Sequence, residues 1–274
     1  MEPRDFADYH RAALERNEVR HNVILAMLAR IASEDAPHLH RWGLGAPGEC
    51  AVQTRGYPIM LGEVTPAQCR TLAETTRDLD CAGVVGPDQA APWYAERAAE
   101  LGVRFDEPIP QQIHALCEQP RYPGAPGHAR LVGAADASLF ADWIVAFQRE
   151  AVPHDPVSSR ERLEKAAADG RYSVWIVDGE PVSMAGIVRR TRNAAAIAGV
   201  YTPPALRGRG YAGSVTAAVV ERAFAEGKTT ACLYTDLRNP FSNRCYAKVG
   251  FRPACESWYI PRRRDPAAAP EAAR

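Results

Sequence analysis

The chain has 274 residues, 46% of them hydrophobic, with 33 basic and 33 acidic side chains and a formal net charge of zero. At roughly 100–200 residues per domain, that length predicts two domains or one large one with an ordinary core. Neutral charge removes the electrostatic case for nucleic acid or an anionic membrane as partner, and the apolar run at 23–28 is too short and too late for a membrane span or a leader.

In chain order, residues 5–33 predict a helix, because Ala12, Leu14, Val19, Val23, Ile24, Met27, Leu28 and Ile31 recur at near-helical spacing. Strands are expected at 40–44, 50–54 and 57–61, with glycine turns between them. Thr65 and Pro66 open a helix to about Leu79, as N-cap and first helical residue. A strand at 82–86, a helix at 88–101 stopped by Gly102, and a strand at 113–117 complete the first half. Pro120, Pro123, Gly124, Pro126 and Gly127 mark 119–128 as a linker between a first domain at 1–118 and a second at 129–261.

The second half reads as a strand at 129–132 and helices at 136–150 and 158–169, with Pro153, His154, Asp155 and Pro156 in the loop between them. Strands at 172–177 and 181–190 join through Asp178-Gly179, a hairpin signal. A strand at 193–202, a helix at 210–226, a strand at 230–236, a helix at 239–249 and a strand at 251–260 follow. The tail, 262–274, is rich in Arg, Pro and Ala and is expected to be disordered. Seven scattered cysteines include no Cys-x-x-Cys pair and no zinc-spaced cluster, which predicts reduced thiols in a cytoplasmic protein without a metal.

Chemistry concentrates in the stretch from Tyr201 to Gly213. A strand runs through Pro203 and Pro204 into Arg207-Gly208-Arg209-Gly210-Tyr211-Ala212-Gly213, which opens a helix. Helix-start N–H groups lack intrahelical partners, and the dipole favours an anion there. Glycines let the backbone approach it closely. A phosphate is the expected occupant. Downstream, Asn239 and Tyr246 stand seven residues apart, two helical turns, with Asn243 between them on the same face. Residues 208–213 also match Gly-x-Gly-x-x-Gly, and Asp236 lies at ribose-binding distance. Against a dinucleotide fold, five residues separate the strand from the first glycine, and too few elements follow.

The loop, Asn239, Tyr246 and Gly250-Phe251 together resemble the GNAT superfamily of CoA-dependent N-acyltransferases over roughly 194–260, with 128–193 fitting more loosely. The resemblance implies an α/β (α+β) fold with a mixed central sheet flanked by helices. It implies acetyl-CoA as donor, with Arg207, Gly208, Arg209, Gly210, Tyr211, Ala212 and Gly213 at the pyrophosphate. Freed backbone groups at Val200, Tyr201 and Thr202 would take the pantetheine arm, with Asn239 and, more weakly, Asn243 on its amides. Tyr246 would be the general acid in direct attack by a small-molecule or peptide amine, in a monomer or homodimer. Many relatives carry a Glu on the strand before the loop; 194–200 has no carboxylate, which leaves water or His154 as base. Cys245 reads as a core residue.

The first half holds an echo. Val84-Val85-Gly86, a helix and Leu101-Gly102-Val103-Arg104 parallel Leu233-Tyr234-Thr235, a helix and Val249-Gly250-Phe251-Arg252. This suggests a diverged, non-catalytic copy of the same fold in tandem, with Ala98 near the place of Tyr246. Two other functions fit the motifs: a non-catalytic CoA-binding sensor, and, less well, a nucleotide-binding oxidoreductase. Turnover separates the first from an enzyme, and a thermal shift with NAD(P)H instead of CoA would favour the second.

Overall fold

The computed structural model describes residues 1–33 and 38–263; the expectation for the tail falls almost wholly outside them. The first half runs α1 (Pro3–Leu14), α2 (Glu18–Ser33), β1 (Leu39–Gly43), β2 (Cys50–Thr54), β3 (Ile59–Leu61), α3 (Pro66–Thr76), β4 (Gly83–Pro87), α4 (Ala90–Glu100) and β5 (Ile109–Leu116). The second runs β6 (His128–Leu131), α5 (Ala137–Ala151), α6 (Arg160–Ala166), β7 (Tyr172–Val177), β8 (Glu180–Arg190), β9 (Ala194–Tyr201), α7 (Tyr211–Ala225), β10 (Thr230–Asp236), α8 (Pro240–Val249) and β11 (Arg252–Pro261). The long first helix is two, broken by a 3-10 turn at 15–17.

Local chemistry explains the boundaries. Thr65 caps α3 in a full capping box with Gln68, and Pro66 sits at N1. The β7–β8 hairpin turns through Asp178 and Gly179, both at positive φ, as a two-residue turn matched to strand twist requires. Gly250 ends α8 in the left-handed region.

The eleven strands of the described residues form one sheet, in the order β1-β2-β3-β4-β11-β5-β10-β9-β8-β7-β6. Apart from the edge strand β6, this order is a palindrome about the β11–β5 pair. Each half has a parallel pair joined through a helix, β3-α3-β4 and β9-α7-β10, with pairings at Ile59↔Val84 and Ala194↔Thr230. The halves exchange their last strands. β11 of the second half lies between β4 and β5, and β5 of the first lies between β11 and β10. On one face α3 and α4 pack over Ala51, Ile59, Val84 and Ile260, and α7 and α8 over Ile187, Ile197, Leu233 and Phe251. On the other, α1 and α2 cover Cys50 and Val52, and α5 covers Val174, Ile176 and Met184. No described helix is long and apolar enough to cross a membrane.

Glu18, at the start of α2, ties the halves together. Its buried carboxylate accepts from Asn193 N (2.8 Å), Asn193 Nδ2 (2.6 Å), Ala194 N (3.1 Å) and the Thr191 hydroxyl. Burial alone would raise its pKa, but these four bonds outweigh it and hold the pKa below the usual 4.5. Charged-acceptor bonds of this kind contribute about 1.5–3 kcal/mol each. Glu18→Gln is therefore expected to cost about 2–4 kcal/mol of stability at pH 7, read by urea denaturation. The depressed pKa means that the wild-type advantage is complete above pH 4.5 and shrinks as the pH falls through the lower folded value. A constant difference between the two proteins down to pH 3 would overturn this assignment.

Candidate active site

The site begins where β9 and β10 separate. They pair over three residues only, Ala194–Ala196 with Thr230–Cys232. β10 stays in register with β5 through Asp236↔Gln111. β9 follows β8 instead, through a bulge between Met184 and Gly186 that places Tyr201 opposite Met184. Gly199 takes φ +63° in this stretch, where a side chain would be strained. The strands diverge toward their C-terminal ends, and from Ile197 onward β9 has no strand partner on its β10 edge among the described residues. Val200 and Tyr201 lie on that unpaired length. Ser183 anchors its end, donating to Tyr201 O (3.0 Å) and meeting the Thr202 hydroxyl at 2.8 Å.

The loop then turns through a 3-10 segment at 204–206 and two left-handed glycines, Gly208 (φ +80°) and Gly210 (φ +84°). Gly210 is the N-cap of α7 and offers no side-chain cap. The first helical bond is Ser214 N to Gly210 O, so among the described residues the N–H groups of Tyr211, Ala212 and Gly213 have no protein acceptor. The Tyr211 side chain is buried in the core beneath, so only its backbone faces the loop.

The two arginines differ. Arg207 is already engaged: Nε donates to Thr202 O (2.9 Å), Nη2 pairs with Glu150 Oε2 (2.6 Å), and the guanidinium lies over the Tyr201 ring. Arg209 is exposed and makes no ion pair among the described residues. Glu150, at the end of α5, was not singled out from the sequence. A lone Glu in the last turn of an amphipathic helix carries no signal, and only the fold places it beside the loop.

Helix α8 supplies the other side. Asn239 caps it, accepting from Phe241 N (3.1 Å) and Ser242 N (3.2 Å). Asn243 donates to Asp236 O (3.2 Å) while its own Oδ1 is buried without a partner. Orphaned buried acceptors are uncommon. Tyr246 is partly buried against the α7 core and stands edge-on to Phe251, its hydroxyl unbonded among the described residues. Burial, with a smaller contribution from Cys245, pushes its pKa well above 10. Cys245 faces Gly213 between α7 and α8, and burial raises its pKa also.

Two histidines stand on neighbouring elements of the sheet and its loops. His154 stands edge-on to Tyr259 with ring centroids 6.0 Å apart, where the α5–α6 loop meets the first half; Pro156 approaches Gly56 in the same place. His114, buried on β5, bonds the Thr235 hydroxyl at 3.1 Å through Nε2 and leaves Nδ1 unpaired. It lay in a predicted strand, with nothing local to mark it. Among the described residues no cluster of His, Cys, Asp or Glu could hold a metal ion.

This arrangement, a split parallel pair ending at an uncapped helix, can take an extended ligand with an anionic end. Residues 137–251 match the family model described as Acetyltransferase (GNAT) family. Similar solved structures include a GCN5-related N-acetyltransferase from Kribbella flavida, with 16% identity over 89% of this chain and 94% of that one and a TM-score of 0.61. Another is a GCN5-related N-acetyltransferase from Sphaerobacter thermophilus, 18% identical over 95% and 93% with a TM-score of 0.58. A tandem GNAT protein from the clavulanic acid biosynthesis pathway is 13% identical over 97% and 95%, with a TM-score of 0.56. At these identities the structures speak for the fold. No curated protein sequence matches the chain. Residues 137–251 thus form a domain of the GNAT acetyltransferase family, in a chain whose whole length shares the fold of GNAT proteins, one of them tandem.

Gly210→Val is expected to cost about 1–2 kcal/mol, because a left-handed residue acquires a Cβ, and to lower the denaturation midpoint. An unchanged midpoint would mean that the loop does not need its left-handed N-cap.

Proposed function

We propose that the second half transfers an acetyl group from acetyl-CoA directly to an amine, and that the uncapped N-terminus of α7 holds the CoA pyrophosphate. The carrying observation is a contrast between the halves. In the first, the loop before α3 presents Glu63, bonded to His21 (2.7 Å) and Arg20 (3.2 Å), and Thr65 caps the helix with its own side chain. A carboxylate and a filled cap repel a phosphate. In the second, two left-handed glycines and no cap leave the helix start open. The first half is accordingly non-catalytic in this reading.

The pantetheine arm lies along the unpaired edge of β9 at Val200, Tyr201 and Thr202, as an added strand would. Asn243 accepts from one of its amides through the orphaned Oδ1. Asn239, whose Oδ1 is spent on the cap, is left with its NH₂ to donate. Arg209 supplies the free cation; Arg207, neutralised by Glu150, holds the loop in shape.

The amine nitrogen attacks the thioester carbonyl, whose oxygen is polarised by a freed β9 N–H. The C–N bond forms, the C–S bond breaks, and the sulfur takes the Tyr246 proton. A phenol with a raised pKa keeps its proton at every working pH. Transfer to an alkyl thiolate, whose conjugate thiol ionises near 8.5 in water, would be uphill. Burial in the same groove raises the thiolate's basicity too, which brings the pair closer to balance. The attacking nitrogen loses its proton to water or to a side chain from the loop of His154.

Tyr246→Phe is expected to lower kcat about 10²–10⁴-fold with the Kd for acetyl-CoA changed little. Free-thiol release across an amine panel and calorimetry read the two quantities. Wild-type protein that binds CoA but turns over no amine would instead support a binding module. Arg209→Ala is expected to weaken CoA binding more than Arg207→Ala, and the reverse order would put the phosphate contact on the wrong arginine.

A further inference from the structure

Residues 117–127 form neither helix nor strand, yet they are fixed along their length to the catalytic half. Arg121 N donates to Val249 O at the end of α8 (2.8 Å). The Tyr122 hydroxyl donates to Glu221 Oε2 on α7 (2.7 Å), and its ring lies 6.2 Å from that of Trp175. Trp175 Nε1 in turn donates to Pro126 O (2.8 Å). Between these ties the segment passes over the first turn of α7. A Cβ built on Gly213 would lie 2.5 Å from Pro123 Cγ, and one on Gly210 would lie 3.4 Å from Ala125 Cβ. Gly213 is therefore glycine because Pro123 packs on it. The linker thus by itself requires the third glycine of the Gly208, Gly210, Gly213 set.

We propose that this linker is the outer wall of the nucleotide end of the CoA site. Pro123 and Ala125 close the side of the α7 first turn that faces α8. The phosphates enter from the open side, over Gly208 and Arg209, and the bound nucleotide clamps the linker in place. The inference rests on the CoA reading above. It makes the joint between the halves part of the donor site, because β5 leads directly into this segment and also borders β10. The ligand class is a 3′,5′-phosphorylated adenosine, the nucleotide end of CoA, and the pantetheine end does not take part.

The test uses the full chain. Trypsin cuts after exposed Arg121, and the fragments are identified by mass; exposed Arg192, in the β8–β9 turn, serves as control. A ligand that binds only the closed form suppresses opening by a factor of 1 + [L]/Kd, about ten-fold at ten times Kd. CoA and adenosine 3′,5′-bisphosphate are expected to slow cleavage at Arg121 by that factor and leave Arg192 unchanged; pantetheine is expected to do neither. Pro123→Ser, which removes the ring from Gly213 while leaving the helix intact, is expected to weaken CoA binding about three- to ten-fold through lost preorganisation. CoA that binds by calorimetry while cleavage at Arg121 stays the same or quickens overturns the linker proposal and leaves the CoA reading standing. So does Pro123→Ser binding CoA as tightly as wild type. No CoA binding to the wild type overturns both.

Discussion

The structure depends on the exchange of β5 and β11 at the centre of the sheet. Each strand is bonded on both sides to strands of the half it does not belong to. Backbone pairing at the middle of a sheet is obligatory, because an unpaired buried N–H or C=O costs as much as a lost hydrogen bond. Neither half can then keep its last strand, or complete its sheet, alone. The exchange also builds the site. β10 is held straight by six consecutive register pairs with β5, while β9 is drawn away by β8 and its bulges. The split between β9 and β10 is thus opened partly by a strand from the other half.

That dependence gives the first half a physical role in shaping the second. It supplies the strand that steadies β10, and α2 lies across the back of the sheet, where Val19 packs near Ile113, Ala196 and Cys232. Asn22 accepts from Arg189 (2.9 Å) and Glu18 closes the β8–β9 turn. The β2–β3 turn meets the α5–α6 loop at Gly56 and Pro156. None of these contacts lies on the loop before α3, so that loop is free to differ from the one before α7.

Much of this was legible in the sequence. The spans Cys50–Thr54, Tyr172–Val177 and Thr230–Asp236 are found as expected, because each is an apolar run bounded by turn residues. The start of β5 was not: it begins at Ile109, four residues earlier than expected, through Pro110, Gln111 and Gln112. That polar stretch becomes a strand because two neighbours pair with it, and pairing leaves no trace in local periodicity. The same reason hid the strand exchange, the engagement of Arg207 by Glu150, and the linker packed on Gly213. Each joins residues far apart in the chain. The motif residues were legible because their spacing is local. Of the two asparagines, Asn239 uses its oxygen for the α8 cap, and Oδ1 of Asn243 has no partner among the described residues.

The two helix starts show what such a site requires. A helix N-terminus has unsatisfied N–H groups and a positive dipole end. A side-chain cap used on them stabilises the fold by about 0.5–2 kcal/mol. At α3 the chain takes that stability, with Thr65, Gln68 and a nearby Glu63. At α7 it forgoes the cap, places Gly210 where a side chain would otherwise satisfy the donors, and tolerates the left-handed backbone that glycine alone adopts without strain. Stability given up at one helix start and taken at its counterpart is the expected mark of a site that some other acceptor completes.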